Sequence, residues 1–271
     1  MFEGRMRFGR KNKRVYFVLL STFTTFVPMK QAMIFAAGLG TRLKPLTDTM
    51  PKALVRVGGK PLLEHVVLRL KDAGYERIVV NVHHFADQII DFLKKQDNFG
   101  LDIRISDERD ALLETGGGIK KALPLFDPTE PILIHNVDIL SNLDLKSLPA
   151  DAPLLVVSKR QTKRYLLFDD DMRLQGWTNI ETGEVKGPIA LNPQPSTLNL
   201  QPSALAFSGI HVFHPSLTPL LADWPDRFPI MDFYLKVCGD HLIRGYEALD
   251  LRLLDVGKLD SLDQAEAFVK W

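Results

Sequence analysis

The chain has 271 residues, with 34 basic and 33 acidic side chains and a formal net charge of +1 at pH 7. At this length a hydrophobic fraction of 45% supports a sizeable core, in one large α/β domain or two small ones. The balanced charge argues against a general binder of nucleic acid or of membrane surfaces. Cys238 is the only cysteine, which excludes a disulfide framework and favours a cytoplasmic location.

The amino-terminal 28 residues differ from the rest of the chain. A basic run over 5–14 precedes an apolar stretch over 15–27, an arrangement similar to that of a signal peptide. The apolar stretch is too short and too rich in threonine for a membrane-spanning helix, and no small-residue cleavage motif follows it. We therefore predict that residues 1–28 are an extension outside the fold, with a targeting segment as the alternative, and that the fold begins near Met29 and continues to residue 271.

From Met29 onward the first half of the chain alternates between strand and helix patterns. Pro61 opens a helix in which every third or fourth residue is apolar, and Gly74 is placed to end it. The other patterns predict strands at 32–37, 77–82, 103–106 and 131–136, and helices at 86–95 and 118–123. Strands that alternate with helices imply βαβ units, and therefore an α/β fold with a mostly parallel central sheet flanked by helices.

The second half has a more mixed pattern. Ser261 and Gln264 have the spacing of a capping box for a last helix. The segment 187–202 contains four prolines and no periodicity, which is typical of a loop. Strands are predicted at 154–158, 205–213 and 249–256, with a hairpin formed by 164–169 and 172–177.

Gly38 and Gly40 follow the first predicted strand directly. In open α/β sheets ligands bind beyond the carboxyl ends of the strands, where this loop must lie. Successive N–H groups of a glycine-rich turn form an anion site, to which Thr41 adds a hydroxyl and Arg42 a guanidinium. Leu43 occupies the position of the third glycine that a dinucleotide fingerprint requires, which argues against a dinucleotide-dependent oxidoreductase.

The continuation of this loop reads G-L-G-T-R-L-K-P-L-T-D-T-M-P-K. Pro45 and Pro51 prevent a helix, so we expect an extended loop that carries Lys52 across the site. The segment resembles the signature G-x-G-x-R-x-x-P-x-x-x-x-x-P-K of the sugar-1-phosphate nucleotidyltransferases at every fixed position. The resemblance implies that Lys52 bridges the phosphates of two substrates, and that the nucleotide is bound by Ala36, Ala37, Gly38, Gly40, Thr41 and Arg42.

Two later segments resemble the nucleotide and metal sites of the same family. In L-E-T-G-G-G-I, at 113–119, the resemblance implies that the backbone of Thr115, Gly116 and Gly117 packs against the nucleobase. H-N-V-D and L-L-D-V-G-K, at 135–138 and 253–258, contain Asp138 and Asp255, which by the same resemblance bind Mg²⁺. Oxygen ligands and retained waters are typical of Mg²⁺ sites, so two aspartates and substrate phosphates suffice.

A further segment, S-G-I-H-V-F-H-P at 208–215, resembles the strand that the family places beside the sugar. Ser208 and Gly209 are therefore candidate substrate-binding residues. The stretch 160–202 is predicted to shape the acceptor site, and within it Asn179 and Glu181 are candidate ligands for sugar hydroxyls, with solvated loop residues as the alternative interpretation.

The resemblance implies a Rossmann-like nucleotidyltransferase fold of the glycosyltransferase-A type, with a nucleotide-binding half over about 29–140 and a sugar-phosphate-binding half over about 141–271. The implied reaction joins a nucleoside triphosphate to a sugar 1-phosphate, with Arg42 and Lys52 as catalytic residues. The segments are most similar to uridylyltransferases acting on N-acetylmuramic acid 1-phosphate in cell-wall recycling. GTP with mannose- or heptose-1-phosphate remains an alternative, as does a non-catalytic subunit that senses nucleotide sugars. The sequence leaves the oligomeric state open.

A chain that begins at Met29 is expected to keep full activity and to melt at the same temperature as the full chain, because the first predicted strand starts at residue 32. Pyrophosphate-release assays and thermal unfolding of both forms test this expectation. Loss of soluble expression in the shortened form would show that residues 1–28 belong to the fold.

Overall fold

The structure is a computed structural model that describes residues 30–191 and 203–270. The predicted extension over 1–28 and most of the proline-rich loop lie outside the described residues. The strands are β1 Gln31–Phe35, β2 Arg56–Val57, β3 Lys60–Pro61, β4 Arg77–Val82, β5 Asp102–Asp107, β6 Ile132–Asn136, β7 Ile139–Ser141, β8 Leu154–Ser158, β9 Arg164–Phe168, β10 Leu174–Asn179, β11 Glu184–Lys186, β12 Ser203–Phe213, β13 Arg244–Glu247 and β14 Leu253–Asp255. The α-helices are α1 Leu62–Asp72, α2 Ala86–Lys95, α3 Glu114–Ala122, α4 Pro188–Leu191, α5 Ile230–Val237 and α6 Leu262–Phe268.

Most of the described strands belong to one mixed sheet. Its main path runs β11-β10-β9-β12-β6-β1-β4-β5, and β8 pairs with both β12 and β13. The strands β6, β1, β4 and β5 are parallel, as the alternating pattern predicts. The long strand β12 pairs antiparallel with β6, β8 and β9, and so joins the second half to the same sheet. The predicted fold class, a mixed sheet flanked by helices, is confirmed.

The central strand β1 is buried on both faces. Ile34 packs in a core cluster with Leu63 and other apolar residues of α1. Met33, whose side chain points to the opposite face, packs in a second cluster with Ile119 of α3 and Phe233 of α5. A strand covered on both faces has a continuous apolar sequence, which explains the run at 32–35. The packing fixes the carboxyl end of β1, from which the glycine-rich loop starts.

The proline-containing loop is more compact than the extended segment predicted from sequence. It forms three short 3-10 turns, Thr41–Leu43, Leu46–Asp48 and Lys52–Leu54. The side chain of Thr47 stabilises this course, since its hydroxyl donates to the carbonyl of Gly40 over 2.9 Å. Proline excludes an α-helix, but it allows single turns of this kind.

Three further predictions differ from the structure. Helix α3 begins at Glu114 rather than at 118, since close packing overrides the low helix propensity of its glycines. The strand predicted at 249–256 is limited to β14, because Asp250 has a left-handed φ of 56° and interrupts it. Ser261 does not cap the last helix, because its hydroxyl donates instead to the carbonyl of Lys258 over 2.6 Å.

Within the described residues, the structure has no helix with both the length and the apolar character needed to cross a bilayer.

A buried polar network fixes the first turn after β1. The side-chain oxygen of Asn81, in β4, accepts hydrogen bonds from the N–H groups of Ala36 and Ala37 over 2.7 and 3.3 Å. Its amide nitrogen donates to the fully buried carboxyl of Glu108 over 2.8 Å. Glu108 also accepts from the N–H of Leu113 over 3.3 Å. Burial raises the pKa of Glu108, and the hydrogen bonds from Asn81 and Leu113 oppose this shift.

The substitution Asn81→Asp is expected to destabilise the protein, more strongly at pH 7.5 than at pH 5.0. The new carboxylate still accepts from both alanine amides, but it faces Glu108 with no proton between them. The two carboxylates raise each other's pKa in the folded state. The free energy of unfolding therefore falls as the pH rises above the pKa that these carboxyl groups have in the unfolded chain. We expect a loss of about 1–3 kcal/mol at pH 7.5, measured by urea unfolding.

The control for this prediction is Asn142→Asp. Asn142 also accepts from a backbone N–H, that of Arg252 over 2.8 Å, but its side chain is exposed. Its substitution is expected to change stability by less than about 0.5 kcal/mol at either pH. Equal effects of the two substitutions would contradict the role assigned to the buried network.

Candidate active site

A cavity of about 430 Å³ opens at the carboxyl ends of β1, β4 and β6. Such an edge of a parallel sheet is where ligands bind in open α/β folds. Six separate stretches of the chain surround the cavity, with the lining residues Phe35, Ala36, Ala37, Gly38, Lys52, Asn81, Glu108, Leu112, Glu114, Thr115, Asn136, Val137, Asp138 and Pro229.

The glycine-rich loop forms one wall of this first cavity. The N–H groups of Ala36 and Ala37 are already bonded to Asn81, so amides available to an anion begin at Gly38. No heavy atom lies within 4 Å of the point where a Cβ on Gly38 would stand, which leaves room for a ligand. Gly40 has a left-handed φ of 65°, and a Cβ there would approach Thr47 to 2.9 Å. Glycine is therefore required at position 40 by the backbone turn.

Lys52 and Asp138 meet at the end of the first cavity. The Lys52 ammonium donates to Oδ2 of Asp138, and both side chains are largely buried. Lys52 comes from the third 3-10 turn of the loop, and Asp138 lies between β6 and β7. A phosphate that binds the ammonium, or a cation that binds the carboxylate, would replace this ion pair.

Asp255 completes a group of four charges. Strand β14 pairs antiparallel with β7, and the N–H of Val256 donates to the carbonyl of Asp138 over 2.8 Å. Burial raises the pKa of Asp255, and the negative charge of Asp138 raises it further, while Lys52 and Arg42 act in the opposite direction. The two aspartates that the sequence predicts as metal ligands are therefore neighbours.

Gly257 allows Arg42 to join this group. Arg42 Nη2 and Asp255 Oδ1 lie 2.9 and 2.6 Å from the position that a Cβ on Gly257 would occupy. Any side chain at 257 would displace one of them. Thr41, the neighbour of Arg42 in the first 3-10 turn, is exposed to solvent.

The donor set at Asp138 and Asp255 fits a hard divalent cation such as Mg²⁺. Carboxylate oxygens are the ligands that Mg²⁺ prefers, and the two carboxylates lie close enough for the charge of Asp138 to contribute, after burial, to the raised pKa of Asp255. Among the described residues no group of three or more His, Cys, Asp or Glu side chains could hold a metal. An ion at this pair would take its remaining ligands from water and substrate.

The predicted nucleobase segment divides between the cavity and the core. Thr115 lines the cavity, and its hydroxyl accepts from the N–H of Ile230 over 2.9 Å. Gly116 and Gly117 are buried instead against the segment that precedes α5. A Cβ on Gly116 would lie 2.2 Å from the Phe228 ring, and one on Gly117 would lie 2.0 Å from the Asp226 carbonyl oxygen. Close packing therefore accounts for both glycines.

The predicted sugar-binding pair lies behind the cavity wall. Ser208 is buried, and its hydroxyl accepts from the N–H of Ile210 within the same strand over 3.2 Å. Gly209 has a φ of 81°, and a Cβ there would lie 2.9 Å from the side-chain nitrogen of Asn136. Neither residue lines a described cavity, whereas Asn136 does, so Gly209 acts on the site by letting Asn136 approach.

A second cavity, of about 560 Å³, continues from the first, with which it shares Phe35, Thr115, Asn136 and Pro229. Strands β9 to β12 and helix α5 form its other walls. Asn179 lines it, whereas Glu181 forms a surface ion pair of 2.6 Å with Lys163. His211 lies in the wall, where burial lowers its pKa to about 3 and keeps the imidazole neutral.

The candidate site includes residues that the sequence predictions missed. Asn81 and Glu108 could have been found from the sequence, since each is a polar residue at the end of a strand pattern. The sequence feature that points to Gly257 is weaker: it is a glycine two positions after a predicted metal ligand. The cationic residues of the second cavity lie within the stretch 160–202, which the sequence predicts to shape the acceptor site, but no motif distinguishes them from their neighbours.

Comparison with known proteins places the chain in a family. Residues 31–270 match the family model described as "Nucleotidyl transferase". The chain therefore belongs to the nucleotidyl transferase family, and the prediction that it is an enzyme of this class is confirmed.

Two curated relatives and one solved structure illustrate the similarity. The chain is 36% identical over 223 residues to N-acetylmuramate alpha-1-phosphate uridylyltransferase of Caulobacter vibrioides, an alignment that covers 80% of this chain and 87% of that protein. It is 46% identical over 114 residues to the enzyme of the same name from Neisseria meningitidis, covering 42% of this chain and 49% of that protein. The fold is similar to that of HddC from Yersinia pseudotuberculosis complexed with GMP-PN, with a TM-score of 0.66, 24% identity and coverage of 88% of this chain and 99% of that one.

We predict that Asp138→Asn and Asp255→Asn each lower turnover by about 100-fold or more, the scale of losing one preorganised charge contact. Because both substitutions damage one ion site, the double variant should lose far less than the product of the single losses. Pyrophosphate release at several Mg²⁺ concentrations measures both quantities. Asp170→Asn, in the exposed turn between β9 and β10, serves as the control and should leave the rate unchanged. Losses that multiply fully would rule out a shared ion.

Proposed function

We propose that the protein transfers a uridylyl group from UTP to N-acetylmuramate α-1-phosphate, giving UDP-N-acetylmuramate and pyrophosphate. The observation that carries the proposal is the convergence of Lys52, Asp138, Arg42 and Asp255 beside two connected cavities. The extended similarity to the Caulobacter enzyme supports the choice of substrates, since it spans most of both chains.

The proposed reaction needs no general base. A sugar 1-phosphate has a second pKa of about 6, so its attacking oxygen is already anionic at neutral pH. That oxygen forms a bond to the α-phosphorus of UTP, and the bond from the α-phosphorus to the bridging oxygen breaks as pyrophosphate leaves. The difficulty is to align two anions, so positioning and positive charge supply most of the catalysis.

Lys52 is the residue best placed to act on both substrates. Its ammonium lies at the end of the first cavity, where the loop wall meets Asp138. When phosphates enter, the ammonium can exchange the carboxylate for oxygens of the α-phosphate and of the sugar phosphate. Charge that develops on those oxygens in the transition state then strengthens the contact.

Arg42 has a different role in the proposal. Its guanidinium lies against Gly257 on the Asp255 side of the charge cluster, and its planar fork suits the β- and γ-phosphates of the bound triphosphate. The amides that follow Ala37 in the glycine-rich loop contribute further donors.

A magnesium ion held by Asp138 and Asp255 would neutralise charge on the triphosphate. The two carboxylates and the neighbouring cations orient the phosphates around that position. Magnesium dependence is part of the proposal because of the donor set at the two aspartates. A role in cell-wall metabolism is part of it because of the proposed substrates.

The alternatives with GTP and with mannose- or heptose-1-phosphate are tested by exchanging the substrates in one assay. The alternative of a nucleotide-sugar sensor is less well supported, because a sensor has no need for all four charges of the cluster.

Lys52→Ala is predicted to lower kcat by about 100-fold or more while the affinity for UTP stays within about tenfold, because a contact that strengthens in the transition state affects rate more than binding. Arg42→Ala should also weaken UTP binding, since the guanidinium holds ground-state phosphates. Pyrophosphate release and equilibrium UTP binding distinguish the two effects.

Lys44→Ala is the matched control, because Lys44 belongs to the same loop but is exposed and pairs with Asp48 over 3.1 Å. It should behave like the unchanged protein. Binding of nucleotide sugars without pyrophosphate release from any combination of UTP or GTP with sugar 1-phosphates would favour the sensor instead.

A further inference from the structure

The second cavity contains more positive charge than its acidic residues neutralise. Three cationic side chains line it, Arg160, Arg164 and Lys186, against two acidic ones, Glu184 and Asp232. Three positive and two negative charges leave a net charge of +1 in a cavity that otherwise has mainly aromatic and aliphatic walls. Uncompensated charge in a concave site attracts ligands of the opposite sign.

Lys186 is the cation of this cavity whose charge is offset by neighbouring side chains. Its ammonium lies 3.4 Å from a carboxylate oxygen of Glu184 and 5.4 Å from the centre of the Trp177 ring. The ion pair and the ring offset its charge. The excess positive charge therefore resides on the two arginines.

Both arginine side chains retain unused charge. Arg160 donates one hydrogen bond, over 2.8 Å, to the carbonyl of Phe207, which leaves the guanidinium charge unbalanced. The Arg164 guanidinium makes no hydrogen bond or ion pair with any residue in the described ranges 30–191 and 203–270. Residues 192–202, outside those ranges, include no Asp or Glu.

His211 does not provide an alternative anion site in this cavity. The imidazole is 2% exposed, and burial lowers its pKa to about 3. It is therefore neutral at physiological pH and has no charge to offer an anion. Anion binding in the second cavity depends on Arg160 and Arg164.

We propose that Arg164, assisted by Arg160, binds a carboxylate carried by the acceptor sugar and so selects acidic acceptors. This inference rests on the proposed function, in which the 1-phosphate lies near Lys52 and the sugar extends into the second cavity. N-Acetylmuramate differs from N-acetylglucosamine only by a lactyl ether on O3, which carries the carboxylate. A guanidinium binds a carboxylate through two parallel hydrogen bonds, and Tyr165 and Trp177 offer surfaces for the apolar groups of the sugar.

The test compares acceptors that differ in the acid group. The value of kcat/KM is measured with N-acetylmuramate 1-phosphate and N-acetylglucosamine 1-phosphate, and with glucuronate 1-phosphate and glucose 1-phosphate as a second pair. Arg164→Gln should reduce the preference for the acidic member by about 10- to 100-fold, the scale of a hydrogen-bonded contact to a charged group. Arg160→Gln should have a smaller effect in the same direction, and Arg164→Lys should restore part of the preference.

Lys163→Gln is the matched control, since Lys163 is the neighbouring cation, pairs with Glu181 at the surface and does not line the cavity. It should leave the preference unchanged. For every variant an unchanged KM for UTP and an unchanged melting temperature show that the fold is intact.

Each other outcome has one meaning. An unchanged preference in Arg164→Gln overturns the inference alone. An equal loss on acidic and neutral acceptors also overturns it, because the arginines would then bind the 1-phosphate. If the unchanged protein rejects N-acetylmuramate 1-phosphate but uses glucuronate 1-phosphate in an Arg164-dependent way, the proposed function is wrong and the inference stands. A wild-type preference for neutral acceptors overturns both.

Discussion

The pairing of β7 with β14 places two carboxylates side by side at the carboxyl edge of the sheet, and the remainder of the site is arranged around this repulsion. Asp138 precedes β7 and Asp255 ends β14, so the backbone itself sets their proximity. The raised pKa of Asp255 reflects burial first and then this proximity. Lys52 and Arg42 come from one loop and lie where they reduce the repulsion. In the proposed reaction, phosphates and a cation that enter this cluster would exchange partners among charges that the fold has already positioned.

The backbone of the loop depends on a polar residue of the neighbouring strand. Asn81 occupies the N–H groups of Ala36 and Ala37 and thereby fixes where the chain turns away from β1. Glu108 in turn holds the amide of Asn81 in the orientation that points its oxygen at the loop. The amides proposed to bind anions are thus oriented by contacts with Asn81, which are made within the protein.

Sequence patterns correctly predicted the elements whose structure is determined by the spacing of apolar residues along the chain. The strand at 77–82 and the helix at 86–95 have the predicted bounds, because their apolar spacing is produced by burial on defined faces. The start of α3 and helix α5 escaped prediction because tertiary packing decides both: glycines normally disfavour a helix, and α5 has only eight residues. The signature motifs identified Lys52 and the two aspartates, whose contact the structure displays. Motifs could not reveal the arginines of the second cavity, since most of the walls of that cavity come from β10, β11, β12 and α5, which lie farther along the chain.

The attachment of β9 to the main sheet has a consequence for how such a chain can diverge. Within the described residues, strand β9 pairs with β12 through Ser203, Ala204 and Leu205, and β10 and β11 follow outward from it. The four charges of the proposed catalytic cluster all lie outside this hairpin unit, before and after it in the chain. Substitutions between β8 and β12 therefore leave the identity of those four residues unchanged. In the proposed site, a lineage can therefore change residues on the acceptor side while it keeps the residues proposed to act on the nucleotide.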